Sequence, residues 1–261
     1  MKIILCIKQV PDTTDIKWTE NNTICRDGLE SVINPYDVYS VENALHLRNI
    51  CEGAEITAFS MGPAQAESML RKTLALGIDN AVLLCDKKFA GSDTYATAKT
   101  ISSGISKLVP DFDLIICGQF ATDGDTAQTG PSIANFLDIP QVTFVREIID
   151  CSNREIVVKR ELSDGEETVK VTLPALICVL KNEKEPTRAT INGIKSASKK
   201  SVVIKSAEDL GISSDLTGIK GSPTFVSKAF RAKKREKNCE FTDNIDKLAE
   251  AVKFNGDSEN E

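Results

Sequence analysis

The stretch "DLIICGQFATDGDTAQTGPSIANFL", residues 113–137, decides the fold because three patterns follow one another in it. Its first seven residues form a short apolar run that is typical of a buried strand. Small and hydrogen-bonding residues fill positions 121–132, and the helical spacing of "GPSIANFLDI", residues 130–139, comes next. A strand, a polar loop and a helix in this order are the repeating unit of a parallel α/β sheet.

The same alternation continues in both directions along the chain. Apolar runs predict strands at 3–10, 55–62, 80–86 and 175–180, and amphipathic stretches predict helices at 35–50, 63–77 and 93–109. This alternation predicts an α/β fold with a mostly parallel, doubly wound, Rossmann-like sheet and helices on both faces. Residues 154–174 break the rhythm, because "SDGE" separates two strand-like runs and predicts an added β-hairpin.

Composition excludes several classes of protein. The net charge of -6 argues against nucleic acid as the main partner. No apolar stretch approaches about 18 residues, so we expect no membrane insertion. The start, "MKIILCIKQVPD", has a short apolar core and no small-residue cleavage site. It predicts a first strand in a cytoplasmic protein rather than a signal peptide.

The composition changes after residue 182, where the chain becomes polar and poor in large apolar residues. We therefore expect three parts: a nucleotide-binding α/β domain over 1–182, a surface loop over 183–200 and a C-terminal arm over 201–261. The arm has few helix or strand signals apart from a helix candidate at 244–254. A long irregular segment cannot easily pair its own backbone groups, so we expect the arm either to stay mobile or to lie on a partner.

The loop after the strand at 113–119 has the chemistry of a nucleotide site. Ligands of open parallel sheets bind beyond the carboxyl ends of the strands. Glycines let the backbone approach a ligand, hydroxyl and amide groups donate hydrogen bonds, and the free N–H groups of the next helix attract phosphate. These glycines and donors are Gly118, Gly124, Gly130, Thr122, Thr126, Gln128 and Thr129. Asp123 and Asp125 would repel phosphate and suit ribose hydroxyls or backbone N–H groups instead. The alternative is a polar loop with ordinary helix caps.

Other kinds of site find no support in the sequence. Neither a GxGxxG nor a GxxxxGK[ST] motif is present, so neither common nucleotide fingerprint explains the loop. The eight cysteines form no CxxC pair, and no nucleophile and base stand in a recognisable arrangement. We therefore predict no catalytic residue and no metal ligand.

Several stretches together resemble the β subunit of electron transfer flavoproteins. They cover nearly the whole chain: "CIKQVPD" (6–12), "INPYDVYSVENAL" (33–45), "SMGPAQAESMLRKTLALGID" (60–79), "FLDIPQVTF" (136–144), "VVKRELSDGEETVKVTLPALICV" (157–179) and "NEKEPTRATINGIKSASKK" (182–200). One departure is Ser163, where the family usually has an acidic residue. The resemblance implies a heterodimer with an α subunit that carries an FAD of its own.

The resemblance also implies which residues form the nucleotide pocket of this chain. They are Cys6, Asn34, Tyr36, Asp37, Met61, Gly118, Gln119, Thr122, Asp123, Gly124, Asp125, Thr126, Ala127, Gln128 and Thr129. Common family members hold AMP here, whereas a branch found in anaerobes holds a second FAD and bifurcates electrons. "DGDTAQTGP" (123–131) and "KFAGSDTYATA" (88–98) resemble that branch, and the latter adds Thr94 and Thr97 to the pocket. Thr129 departs from it, because a Val is usual there.

A bifurcating member would take electrons from NADH at its FAD. One electron would reach a flavin dehydrogenase of the acyl-CoA or 2-hydroxyacid type, and the other ferredoxin or flavodoxin. The protein would be an electron carrier without catalytic side chains, which leaves open whether it counts as an enzyme. The resemblance implies that Ile191 inserts into the dehydrogenase, and Ile194 would share its helical face.

Two other interpretations stay open from the sequence. A non-bifurcating β subunit would hold structural AMP in place of FAD. The fold could also be that of ATP-binding α/β proteins of the universal-stress or ATP-pyrophosphatase type. The latter need an SGGxD-like loop after the first strand, and "KQVPDTTD", residues 8–15, is not one.

Overall fold

A computed structural model describes residues 1–12, 17–18, 24–25, 31–51, 53–152, 154–182, 185–227 and 241–256. The chain divides into two compact units, Met1–Ser227 and Lys228–Glu261. The strands are β1 Lys2–Cys6, β2 Gln9–Pro11, β3 Lys17–Trp18, β4 Ile24–Cys25, β5 Ser31–Ile33, β6 Glu55–Met61, β7 Asn80–Leu84, β8 Leu114–Gly118, β9 Gln141–Ser152, β10 Glu155–Leu162, β11 Gly165–Thr172, β12 Ala175–Val179 and β13 Val202–Lys205. The helices are α1 Pro35–Ile50, α2 Glu67–Ala75, α3 Thr94–Leu108, α4 Thr129–Leu137, α5 Ile191–Ala197, α6 Ala207–Leu210, α7 Gly218–Gly221 and α8 Ile245–Gly256.

Nine strands form one sheet in the order β11-β10-β9-β12-β8-β1-β6-β7-β13. All neighbouring pairs from β9 to β13 across the sheet are parallel, and β10 pairs antiparallel with both β9 and β11. The prediction of an α/β fold with a large, mostly parallel sheet is therefore confirmed. Two short antiparallel pairs, β2 with β5 and β3 with β4, lie outside this sheet.

Both faces of the central strands are covered, which explains why these strands read as continuous apolar runs. Ile3 and Leu5 belong to one hydrophobic cluster, while Ile4, between them, belongs to the other. Val41 of α1 lies in the first cluster, and Ile101 of α3 lies in the second. The alternation along β1 therefore places α1 and α3 on opposite faces of the sheet.

Local signals set the start of two helices that border the predicted site. Pro35 opens α1, where its fixed φ and its missing N–H cost nothing. Asp93 caps α3 by accepting a hydrogen bond from the Ala96 N–H. The predicted helices at 35–50 and 93–109 match α1 and α3 to within one residue at each end.

Two strands of the main sheet were absent from the prediction. β9 is long but bulged, so its side chains do not alternate regularly between buried and exposed. β13 has only four residues, and two of them, Val203 and Ile204, are half-exposed. The predicted first strand is also shorter than expected, because β1 ends at Cys6 and Gln9–Pro11 pairs with β5.

Elements of the first unit continue past residue 182, where the sequence predicts the end of the α/β domain. β13 is an edge strand of the main sheet, and Ala207 and Leu210 of α6 are buried in its core. The first unit therefore extends to Ser227, because a short strand and two small helices complete its edge. Of the second unit the structure describes 241–256, where α8 coincides with the predicted helix candidate.

Among the residues that the structure describes, no helix is both long enough and apolar enough to cross a membrane.

Candidate functional site

The two strands that end beside the predicted nucleotide loop, β1 and β8, are neighbours in the sheet. From β1 the chain continues to β6 and β7 on one side, and it then returns to β8 on the other side. The strand order therefore reverses between β1 and β8, and ligands of open α/β sheets bind in the crevice at such a point. Cys6 and Gly118 are the last residues of these two strands. The structure thus brings two distant parts of the predicted site together.

Asn34, the residue before α1, attaches that helix to the loop after β8. Its buried side chain donates from Nδ2 to the carbonyl oxygen of Phe120 at 2.8 Å. The same Nδ2 donates to Asp37 Oδ1 at 3.0 Å, and Oδ1 of Asn34 accepts from the Thr122 N–H at 3.3 Å. Because one amide satisfies groups on both sides of Ala121, the first residues of the loop have a fixed position.

Asp37 lies beneath this contact and is almost fully buried. Its Oδ2 accepts from the Lys8 N–H at 2.6 Å, and the carboxylate also accepts from the backbone N–H of Gly118. A Cβ added to Gly118 would lie 2.3 Å from Asp37 Oδ1 and 2.8 Å from the Cβ of Tyr36. Only a glycine therefore allows β8 to approach the start of α1 this closely.

Burial raises the pKa of Asp37 to about 7, although the hydrogen bonds from Lys8 and Asn34 act in the opposite direction. In the unfolded chain an Asp ionises near pH ~3.9. Between these two values the folded state binds more protons than the unfolded state. The free energy of unfolding should therefore fall as the pH rises through this window, by at most about 1.4 kcal/mol per pH unit.

Asp37→Asn, which cannot titrate, should flatten this pH dependence. The measurement is denaturant unfolding of both proteins at several values between about pH 4.5 and about pH 7.5. We expect the wild-type protein to lose stability relative to the variant as the pH rises. The same pH dependence in both proteins would contradict a raised pKa at Asp37.

Lys8 supplies a positive charge that the sequence analysis missed. Its Nζ lies 2.5 Å from Oδ1 of Asp123, whose carboxylate is only 4% exposed. The sequence predicts that Asp123 accepts from ribose hydroxyls or backbone N–H groups, and the structure shows that it also pairs with Lys8. The pairing lowers the repulsion that a phosphate would meet at this loop. Asp125, two residues on, is exposed.

The amino ends of α3 and α4 meet at the crevice. The hydroxyl of Thr94 donates to Oε1 of Gln128 at 3.2 Å, which joins the first residue of α3 to the residue before α4. Thr97 follows in the first turn of α3, where its N–H donates to the Asp93 carbonyl at 3.0 Å. Among the described residues no side chain caps α4, so the N–H groups of its first turn are available to a ligand. Two helix ends therefore meet at one place, and the end of α4 that lacks a cap is the one attractive to anions.

Gln119, a residue of the predicted pocket, forms a hydrogen bond within the protein. Its side chain is buried, and its Oε1 accepts from the Phe144 N–H at 2.6 Å. Phe144 has a φ of 59°, in the left-handed region that bulky residues rarely adopt. The Gln119 side chain is therefore engaged in holding the bend of β9.

Three aromatic rings lie side by side near the start of α1. The ring centroids of Tyr36 and Phe120 are 5.4 Å apart, and those of Phe120 and Phe144 are 5.9 Å apart, both edge to face. Lys181 Nζ lies 4.7 Å from the centroid of the Tyr36 ring. Only Tyr36 of this group was predicted from the sequence, because Phe120, Phe144 and Lys181 come from separate segments without a shared motif.

The remaining residues of the predicted pocket lie on the loop and on a neighbouring strand. Met61 is the last residue of β6 and packs against the same hydrophobic cluster as α3. Gly124 and Thr126 are exposed on the loop, and Ala127 has a left-handed φ of 55°. Thr129 is the first residue of α4. The loop therefore presents backbone and hydroxyl groups to solvent, as a ligand-binding loop requires.

Cys6 stands in a row with two other cysteines. The strand register places Cys6 beside Cys117, and Cys117 beside Cys178. Hydrogen bonding with Cys178 and Cys6, together with burial, raises the pKa of the Cys117 thiol. Cys117 therefore stays protonated, and the row serves as small apolar packing beneath the crevice.

The predicted partner-binding residues lie on a different element. Ile191 and Ile194 belong to α5, which packs against α2. Ile191 is 85% exposed and Ile194 is 57% exposed. Thr190 caps α5 by accepting from the Gly193 N–H at 3.0 Å. The predicted helical turn is therefore present, and both aliphatic side chains project from its surface.

Comparisons with known proteins agree with these observations. The family model described as "Electron transfer flavoprotein domain" matches residues 21–210. The "Electron transfer flavoprotein subunit beta" of Thermoanaerobacterium thermosaccharolyticum is 46% identical over 228 residues, which are 87% of this chain and 86% of that protein.

Two relatives with other names are similar over comparable lengths. The "Caffeyl-CoA reductase-Etf complex subunit CarD" of Acetobacterium woodii is 40% identical over 231 residues, 88% of this chain and 87% of that protein. "Protein FixA" of Sinorhizobium fredii is 40% identical over 260 residues, 97% of this chain and 90% of that protein. The similarity therefore extends well beyond the nucleotide loop.

Proposed function

The chain belongs to the electron transfer flavoprotein family and resembles its β subunits, and from this premise we propose that it holds FAD of its own and takes part in electron bifurcation. The FAD would lie in the crevice between β1 and β8. The family membership itself makes the chain an electron-transfer protein of the β-subunit type.

The contact between Thr94 and Gln128 is the observation that carries the proposal of FAD. A mononucleotide needs one phosphate site, which the loop and the open amino end of α4 can supply. The 3.2 Å contact adds a second helix end, with the hydroxyls of Thr94 and Thr97, next to the first. A dinucleotide carries two phosphates and a ribitol chain, so it would extend from the end of α4 to the two threonine hydroxyls.

The residues present fit such a ligand. The close approach at Gly118 leaves no Cβ in the crevice, and Lys8 balances the charge of Asp123. Thr122, Thr126 and Thr129 would donate to one end of the ligand, and Thr94 would donate to the other. When bound, FAD supplies the ability to accept a hydride from NADH and to release electrons one at a time. The protein would position the cofactor and set its electrostatic surroundings.

The proposed partners are an α subunit with its own FAD, a flavin dehydrogenase, and ferredoxin or flavodoxin. The likeness to a subunit of a caffeyl-CoA reductase–Etf complex supports a dehydrogenase partner. For the C-terminal arm, predicted over 201–261, we retain the proposal that it lies on the α subunit, and residues 228–261 of it form the second compact unit.

The alternative is a β subunit that holds AMP and does not bifurcate. AMP would occupy the loop and the start of α4, and Thr94 and Thr97 would then have no ligand to contact. The copurified α/β pair separates the two proposals by its reaction with NADH. A bifurcating pair reduces ferredoxin with NADH only while the dehydrogenase acceptor is also present. Oxidation of NADH that never reduces ferredoxin would contradict the proposal.

Exposure of Ile191 supports its proposed contact with the dehydrogenase. An aliphatic residue that anchors a loop to its own domain is buried, whereas this one is 85% exposed. Burying an Ile side chain contributes about 1.5–3 kcal/mol, so Ile191→Ala should weaken docking by roughly tenfold or more. Titration of the mutant α/β pair against its dehydrogenase measures this loss.

The matched control is Ile149→Ala, because Ile149 is also exposed but lies on β9. That variant should dock normally, and Ile191→Ala should keep the thermal stability of the wild type. Equal affinity of both variants for the dehydrogenase would remove Ile191 from the docking surface.

A further inference from the structure

Asp93 contacts two parts of the chain that are far apart in sequence. Its Oδ1 accepts from the Ala96 N–H at 2.9 Å and so caps α3. Its Oδ2 accepts from the backbone N–H of Thr224 at 3.0 Å and from the Thr224 hydroxyl at 2.7 Å. The two oxygens belong to one rigid carboxylate, so the cap of α3 and the contact to Thr224 fix each other's position.

Other contacts hold segment 217–224 in the same place. The backbone N–H of Asp93 donates to Ser222 Oγ at 2.8 Å, and the Gly218 N–H donates to Ser92 Oγ at 3.1 Å. A Cβ added to Gly218 would lie 2.2 Å from a backbone carbonyl oxygen. The segment is therefore closely packed against the residues that lead into α3.

The residue after Asp93 belongs to the proposed cofactor site. Thr94 contacts Gln128, and the Thr97 N–H donates to the Asp93 carbonyl. Asp93 thus stands between two structures: its side chain holds segment 217–224, and its cap and carbonyl order the first turn of α3. Loss of the contact with Thr224 would therefore alter the orientation in which the Asp93 carboxylate caps α3, and loss of the cap would alter the contact with Thr224.

We infer that Asp93 is a positioning residue that couples cofactor binding at Thr94 and Thr97 to the attachment of segment 217–224. When the segment is attached, the Asp93 carboxylate is held in the orientation that caps α3, and the two threonines face the crevice in a fixed geometry. When the segment detaches, the carboxylate is free to rotate and the first turn can fray. The cofactor then binds more weakly.

Such coupling acts in both directions, because linkage between two equilibria is reciprocal. Bound cofactor orders the first turn of α3 and thereby favours the attached segment. The large apolar side chains exposed on or next to the segment are Leu216, Ile219, Phe225 and Val226. A partner protein that covers them would hold the segment in place and so tighten the cofactor.

The test uses the copurified α/β pair and the variant Asp93→Asn. Asn caps a helix as well as Asp does, because its one side-chain oxygen can accept from the Ala96 N–H. Its NH2 group would then face Thr224, and it cannot accept the two hydrogen bonds that Thr224 donates. The readouts are the dissociation constant of FAD at the β site and amide hydrogen exchange of residues 217–226. We expect FAD to bind about fivefold or more weakly in the variant. Exchange should respond to FAD in the wild type and lose that response in the variant.

Asp86→Asn is the matched control, since Asp86 also joins two segments by accepting from the Lys88 and Ala207 N–H groups. It should leave the FAD affinity unchanged. Should Asp93→Asn fail to fold, Thr224→Val removes the hydroxyl donor alone and should weaken FAD about twofold to threefold. If both single variants fold, the double variant Asp93→Asn and Thr224→Val should weaken FAD binding no more than Asp93→Asn alone, because both changes remove the same contact.

The inference rests on the proposed function, and the outcomes separate the two. A wild-type pair that holds no FAD at the β site overturns the proposed function, and the inference with it. FAD that binds equally well to the wild type and to Asp93→Asn leaves the proposed function in place and overturns the inference alone.

Discussion

Gly118→Ala should abolish cofactor binding at the crevice and lower the stability of the protein. The added Cβ would lie 2.3 Å from Asp37 Oδ1, 2.8 Å from the Tyr36 Cβ and 3.0 Å from the Asp37 nitrogen. These atoms cannot move away easily, because Lys8 and Asn34 hold Asp37 in place. Overpacking of this kind costs about 1–3 kcal/mol or more. Displacing Asp37 also frees Asn34, whose side chain positions the loop.

Thermal unfolding and the nucleotide content of the purified protein measure these two effects. Gly165→Ala is the control, because Gly165 begins β11, the outermost strand of the sheet, and among the described residues no heavy atom lies within 4 Å of a Cβ added there. It should unfold near the wild-type temperature and keep its nucleotide. If Gly118→Ala matched the control in both measurements, the close approach of β8 to α1 would not be what forms the crevice.

The double variant Thr94→Val and Thr97→Val should release the FAD of this chain and leave the FAD of the α subunit bound. Valine keeps the shape of threonine but removes the hydroxyl donor. A hydrogen bond to a charged ligand contributes about 1.5–3 kcal/mol, so losing two should weaken binding by roughly a hundredfold to ten-thousandfold. Gel filtration followed by optical spectroscopy counts the flavins that remain.

Ser103→Ala is the control for this experiment. Ser103 lies on the same helix, and its hydroxyl donates to the Lys99 carbonyl at 2.9 Å, away from the amino end. Its flavin content should equal that of the wild type. A double variant that retains both flavins would show that the amino end of α3 does not contact the cofactor.

Features set by neighbouring residues could be predicted from the sequence. α1 begins at Pro35 because the φ of proline is restricted to a helical value. α3 begins after Asp93 because the Asp93 side chain accepts from the N–H of Ala96, three residues further on. The loop after β8 was likewise evident from its small and polar composition. These signals are local, so a single chain reveals them without knowledge of the fold.

Features that depend on strand neighbours could not be predicted in this way. Phe144 adopts a left-handed φ, and the register of β9 shifts against β10 and β12, so the apolar pattern of β9 has no regular period. β13 joins the sheet although half of it is exposed, because it completes the edge beside β7.

Long-range contacts at the site were missed for the same reason. The ion pair between Lys8 and Asp123 spans more than a hundred residues, and so does the contact between Asp93 and Thr224. No motif joins either pair in the sequence. The hydrogen bond from the Phe144 N–H to the Gln119 side chain is a further contact between segments that no motif joins.

The cofactor content of the copurified α/β pair tests the central claim most directly. The pair is denatured, and the released nucleotides are separated and counted against the protein. The account predicts two FAD molecules for each heterodimer and no AMP, with one FAD lost from the Thr94→Val and Thr97→Val variant. One FAD and one AMP for each heterodimer would contradict it.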